Sequence, residues 1–209
     1  EILFRGNPVA RGSEGWMDFR LNCQMIFQDP FGSLDPRFTI RRALAEALYH
    51  MDIGAQEKDA RIRHIVAEVG LEEEHLDRLP HEMSGGQRQR VAIARAIISE
   101  PDFVIADEAV SALDVTVRAQ VLALLADLQK RHGFSSLFIS HDLGVVEQLA
   151  DRVVVMRDGE IVEAGPRNRI FDAPESDYTR ALLSAIPTLK RTGEGVELSW
   201  RGSAPEAGA

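Results

Sequence analysis

Residues 84–108 constrain the fold more than any other part of the chain. A glycine pair opens a helical run there, and an apolar strand ending in two acids follows it. Ser84-Gly85-Gly86-Gln87 sets small residues and bare backbone N–H groups at a helix N-terminus, which is where an anion is best held. Phe103-Val104-Ile105-Ala106 then reads as a buried strand that delivers Asp107 and Glu108 at its end. One of these carboxylates suits a hard cation, and its neighbour suits a water molecule.

The rest of the chain alternates in the same way. A short apolar strand is expected at residues 24–27, after a strand end at 1–4, a turn at Gly6-Asn7-Pro8 and a connector. Apolar residues at Ile40, Ala43, Leu44, Ala47 and Leu48, and again at Ile62, Ile65, Val66 and Val69, fall at helical spacing. Gly70 is a natural stop. Helices at about 87–99, 115–131 and 142–150 precede or separate strands at 103–107, 136–140 and 153–156. Strands spaced by helices imply a largely parallel sheet covered on both faces. Asp158-Gly159 joins 153–156 to 160–164 as a hairpin, and Gly165-Pro166 ends it. A last helix is expected at 178–185, and residues 193–209 read as a mobile tail.

Composition narrows the class. With 209 residues, 44% hydrophobic and 27% charged, the chain is long enough for one full core, and one domain is expected. A net charge of -9 argues against nucleic acid as a partner, since backbone-phosphate binding rests on clustered Lys and Arg. The single cysteine, Cys23, allows no internal disulfide and no multi-cysteine metal site. No stretch approaches the ~18 to 20 apolar residues of a membrane span.

Taken alone, Ser84-Gly85-Gly86-Gln87 reads equally as a plain glycine turn, and adjacent acids at a strand end as a solvated turn. Their order changes the weighing. Ser84 to Gln87, the run from Arg88 to Ala96 and the Asp107-Glu108 strand together resemble ATP-binding cassette (ABC) proteins, and the resemblance extends over nearly the whole chain. It implies an α/β, P-loop NTPase-like ABC ATPase core, a mostly parallel sheet flanked by helices, with an α-helical signature subdomain at about 29–100. The domain would span 1–186, with 187–209 as a C-terminal tail.

The same resemblance implies roles. Ser84, Gly85, Gly86 and Gln87 match the signature segment, which binds the γ-phosphate of ATP held by an opposing cassette. Asp107 matches the Walker B aspartate that holds Mg2+, commonly through water. Glu108 matches the general base. Gln28, after Met25-Ile26-Phe27, resembles the Q-loop glutamine that touches magnesium and water. Ser140-His141-Asp142 resembles the switch loop, whose imidazole contacts the γ-phosphate, and Ser111-Ala112-Leu113-Asp114 resembles the D-loop, with Asp114 crossing a dimer interface. His50, His64, His75, His81 and His132 stand in no such setting.

Two departures accompany the match. No Gly-x-x-x-x-Gly-Lys followed by Ser or Thr occurs, and Gly6, Gly12 and Gly15 lack both the spacing and the lysine. Because the chain opens on Glu1, this reads as a cassette truncated at its N-terminus, and the fragment alone is expected to leave apolar surface uncovered and to bind ATP poorly. Ala109 stands where the family usually has proline. The Met25 to Pro36 run is most similar to ATPase subunits of oligopeptide, dipeptide and nickel importers. That implies a second ATPase domain, transmembrane permease subunits and, indirectly, an extracytoplasmic solute-binding protein as partners, at the cytoplasmic face of the membrane. A cassette acting as a scaffold or switch in a soluble complex, and a degenerate non-catalytic cassette, stand as alternatives.

Overall fold

The computed structural model describes residues 2–192 and 195–200. Contacts divide the chain into two compact units, Glu1–Ile139 and Ser140–Ala209, where the sequence reading drew one domain over 1–186.

The first unit opens on β1 (Leu3–Phe4) and β2 (Asn7–Pro8), a small antiparallel hairpin. Arg5 and Gly6 make its turn, both at positive φ. The turn therefore lies one residue earlier than expected, and β1 pairs with β2 rather than with the parallel sheet. α1 (Glu14–Asn22) fills what reads as a connector. Its apolar residues Trp16, Met17, Phe19 and Leu21 do not fall on one helical stripe, so periodicity conceals it. Phe19 meets Phe4 edge-on at 5.6 Å between ring centroids.

β3 (Cys23–Ile26) begins the main sheet and is followed by α2 (Pro30–Ser33), α3 (Ile40–Ala47), α4 (Ala55–Glu68) and α5 (Gly85–Ile97). Thr39 caps α3 through its side chain, and Gly70, at φ +70°, lets the chain leave α4. β4 (Phe103–Asp107), α6 (Val115–His132) and β5 (Ser135–Ile139) complete the unit. α6 runs from the Asp114 cap to Gly133 at φ +74°, with Lys130, Arg131 and His132 in its last turn against the negative end of the dipole.

The parallel sheet has the order β3-β4-β5, in register Met25↔Ile105↔Leu137 and Ile26↔Ala106↔Phe138. Helix α5 is its main support. Val91, Ala92, Ile93, Ala94, Ala96 and Ile97 are all buried, so the second half of this helix is apolar almost all round and enclosed in the unit. Each large aliphatic side chain sealed there stabilises the fold by about 1.5–3 kcal/mol. The sheet is flanked by helices as expected, with its edge strand the least covered. Ile26, Val104 and Ala106 are buried, while Leu137 and Ile139 on the edge strand β5 are 46% and 43% exposed.

The second unit holds α7 (Leu143–Leu149), β6 (Arg152–Arg157), β7 (Glu160–Pro166), α8 (Arg167–Asp172) and α9 (Asp177–Ser184). β6 and β7 pair antiparallel through Asp158 and Gly159, both at positive φ, as a two-residue hairpin turn of this composition requires. Among the described residues β6 pairs only with β7, so it adds no strand to the parallel sheet, against the sequence expectation. Val153, Val155, Ile170, Phe171 and Leu183 form its core. Within the segment read as a tail, β8 (Pro187–Thr192) and β9 (Gly195–Trp200) pair antiparallel; residues 201–209 lie outside the described ones.

Candidate functional site

Two adjacent carboxylates, Asp107 and Glu108, are set by the end of β4. Alternation along that strand puts Asp107 on the same face as Ile105 and, across the register, beside Ile139 of β5, the more open face. Glu108 breaks the alternation. Its φ is +45°, a left-handed conformation that is uncommon for a residue with a side chain. Three backbone and hydroxyl contacts hold it there: the Glu108 N–H donates to Ile139 O at 3.0 Å, and the Glu108 carbonyl accepts from the Ser111 N–H at 3.0 Å and the Ser111 hydroxyl at 2.9 Å. Backbone strain concentrated on the second acid is the kind of feature that marks a working residue.

Gln28 reaches this carboxylate. β3 and β4 run parallel with Ile26 opposite Ala106, so two further residues along each strand bring Gln28 beside Glu108. Its Nε2 donates to Glu108 Oε2 at 2.8 Å across 80 residues of sequence. The structure therefore brings together Gln28, Asp107 and Glu108 at one sheet end. Among the described residues no group of three His, Cys, Asp or Glu side chains forms a metal cluster. One carboxylate and one amide oxygen are, however, a sufficient protein share for magnesium, which keeps several waters and takes phosphate oxygens as further ligands.

The glycine turn expected to hold an anion is built at the N-terminus of α5. Ser84 is its N-cap; the Ser84 Oγ accepts from the Gln87 N–H at 3.3 Å, and Gln87 Oε1 accepts in return from the Ser84 N–H at 2.9 Å. This reciprocal capping box ties two of the orphan donors at the helix start. The Arg88 N–H bonds Ser84 O at 2.9 Å. The amides of Gly85 and Gly86 are the first-turn donors outside the cap, and Ser84 keeps a hydroxyl proton to give. The two glycines are needed for different reasons. A Cβ on Gly85 would meet nothing within 4 Å, so its surroundings are open to a ligand. A Cβ on Gly86 would lie 2.7 Å from Val117 Cγ1, so that glycine is demanded by packing against α6.

Asp114 caps α6, its Oδ1 accepting from the Val117 N–H at 3.0 Å. The side chain is exposed, as is Val115 beside it. Val117 thus links the Asp114 turn to the signature glycines. Its part, that of Ser111 in holding Glu108, and the 3.1 Å approach of His75 Nε2 to Gln87 Nε2 are structural detail the sequence did not disclose. His75 and Gln87 sit in different elements, and no spacing rule connects them.

His141 belongs to the second unit. The Ser140 Oγ accepts from the Asp142 N–H at 3.0 Å, and Asp142 Oδ1 accepts from the Gly144 and Val145 amides at 3.1 and 3.3 Å. These bonds fix the turn on either side of His141, whose own side chain is exposed.

The chain is similar to known proteins in both sequence and fold. The family model described as ABC transporter matches residues 1–111. The chain is 53% identical over 189 residues to the glutathione import ATP-binding protein GsiA of Pectobacterium atrosepticum, and 50% identical to that of Escherichia coli K12. In both cases 90% of this chain is covered, and it spans 30% of the relative's length. Among solved structures, cbiO1 from Clostridium perfringens, part of the ABC transporter complex cbiONQ, superposes with a TM-score of 0.73 at 28% identity, over 83% of this chain and 68% of that one. Matched over more than half its length by the family model, and with the fold of a solved member, this chain belongs to the ABC transporter family.

Proposed function

We propose that the chain forms part of the ATP-hydrolysing subunit of an importer that energises uptake of a peptide-like solute. The observation that carries this reading is the Gln28–Glu108 hydrogen bond at the end of β4, with Asp107 adjacent. An acid held in a strained backbone and oriented by an amide, next to a second acid, is the division of labour that phosphoryl transfer to water needs.

In this reading Glu108 accepts the proton of the attacking water or aligns it, and Gln28 Nε2 fixes the carboxylate so that one oxygen keeps its direction. Asp107 and the amide oxygen of Gln28 would hold Mg2+, which when bound neutralises charge developing on the phosphate oxygens. The Ser84 hydroxyl and the Gly85 and Gly86 amides donate to the γ-phosphate of a nucleotide held by a second cassette, with Gln87 capping the turn and the helix dipole adding to the attraction. His141, on the switch loop, contacts the γ-phosphate on which Glu108 directs the water. Asp114 reaches the dimer interface, a role that suits its exposure and that of Val115. The α- and β-phosphates need a cradle that residues 1–209 do not contain.

Permease subunits and a second ATPase domain are the partners this function requires, with a solute-binding protein acting through the permease. No helix among the described residues is long and apolar enough to cross a membrane, so work at the cytoplasmic face would run through those partners. The names of the relatives favour glutathione or a comparable small peptide as the solute.

The test is turnover of the full-length protein with and without its permease. Glu108→Gln keeps an acceptor for Gln28 but removes the base, and should lower the hydrolysis rate by about 10²–10⁴-fold while nucleotide still binds. Unchanged turnover in that variant would sink the assignment.

A further inference from the structure

His75 is buried, 8% exposed, and lies behind the signature turn. It sits in a short 3-10 turn, Glu73–Asp77. Its ring nitrogens have distinct neighbours. Nε2 is 3.1 Å from the Gln87 amide nitrogen, and Nδ1 is 3.0 Å from the Glu72 carbonyl and 3.1 Å from the Glu72 N–H.

The direction of these bonds follows from the cap. Gln87 gives its Oε1 to the Ser84 N–H, so the NH2 end of the same amide faces His75. An NH2 group can only donate, and Nε2 must accept. Neutral imidazole has one lone-pair nitrogen, so the proton then resides on Nδ1, where the Glu72 carbonyl takes it, at the cost of the bond that the Glu72 N–H would otherwise donate to Nδ1. The opposite tautomer would set Nε2–H against NH2. Gln87 could answer only by turning its amide over, which would put its NH2 against the Ser84 N–H and remove the acceptor from the helix start. One tautomer is compatible with the capping box, and burial limits how far water can substitute.

We propose that His75 is a positioning residue for the signature turn: as the Nδ1–H tautomer it holds the Gln87 amide in the orientation that ties the Ser84 N–H, and so sets how Ser84 meets a phosphate. The relation rests on the reading of that turn as a triphosphate contact, but its first half, the control of the cap, is independent of nucleotide.

The experiment uses the full-length protein. Histidine-selective 15N NMR should find His75 as the Nδ1–H tautomer; the Nε2–H form overturns the proposal without any variant being made. Amide hydrogen exchange without nucleotide then compares His75→Leu, which removes the acceptor, with His75→Gln, which keeps one where Nε2 stood. Ser84 protection should fall about fivefold in the first and return in the second, with the Ile97 amide at the far end of α5 unchanged. Equal protection in wild type and His75→Leu overturns the proposal, and if His75→Leu does not fold the tautomer decides. Finally, the ATP KM should rise severalfold in His75→Leu and recover in His75→Gln. A lost cap with an unchanged KM refutes the link to phosphate, whereas unchanged turnover in Glu108→Gln refutes the ATPase reading and leaves the cap result standing.

Discussion

Val117 Cγ1 occupies the space that a side chain on Gly86 would need, 2.7 Å from the ideal Cβ position. The second glycine of the signature turn is therefore fixed by the helix that Asp114 caps, through a β-branched residue with little rotamer freedom.

Two effects of opposite sign meet at this position. Gly86→Ala gains about 1 kcal/mol of helix propensity but forces Val117 aside, at a cost of about 1–3 kcal/mol. Net destabilisation is expected in the wild-type background, and a neutral or stabilising effect when Val117→Ala is also present. A double-mutant cycle read by urea unfolding measures the coupling; additive changes would show that the two residues do not press on each other.

Glu108 stores backbone strain at the point where chemistry is expected. Glu108→Gly should relieve about 1 kcal/mol of left-handed strain while abolishing hydrolysis, so that stability and turnover move in opposite directions. Losing the Gln28 bond offsets part of the gain, and Glu108→Ala, which loses the bond without relieving the strain, separates the two contributions. If the glycine variant proves no more stable than the alanine one, the strain is not real.

Gln28 is expected to act on rate more than on binding. Gln28→Ala frees the Glu108 carboxylate to swing, and misplacement of a base by about 1 Å costs up to about 10²-fold in rate. Steady-state kinetics on the full-length protein should show a fall in kcat larger than any rise in the ATP KM. A pure KM effect would mean that Gln28 only helps hold nucleotide.

The second unit has its own acid-labile contact. The neighbouring Thr179 hydroxyl, then the amides of Glu175 at 2.8 Å and Ser176 at 3.1 Å, hold the Glu163 carboxyl below the usual carboxylate range. A depressed folded-state value means that the stabilisation is present above the ordinary glutamate range, about 4.3, and is lost as the pH falls through the lower native value. Glu163→Gln should cost about 1–2 kcal/mol at neutral pH and flatten this part of the acid dependence. Thermal unfolding across the acid range checks both, and an identical acid profile in the variant would contradict the contact.

Much of this was legible in the sequence because it rests on local rules. The capping residue Ser84, the strand ending in Asp107, the Asp158-Gly159 hairpin and the helix stop at Gly70 each follow from a few neighbouring residues and their conformational preferences. α1 escaped because its apolar residues lack a stripe, and the pairing of β6 with β7 alone escaped because alternation of helices and strands does not say which strands pair.

What the amino-acid order determined by itself was the kind of element over most of residues 24–185 and the presence of acids, amide and glycines suited to a phosphate. Only the tertiary structure decided that Gln28 holds Glu108, that Val117 demands Gly86 and that His75 faces Gln87, because each bond joins side chains carried by different elements. Strand register and helix packing set such meetings, and those depend on the burial of the whole core rather than on any local run of residues.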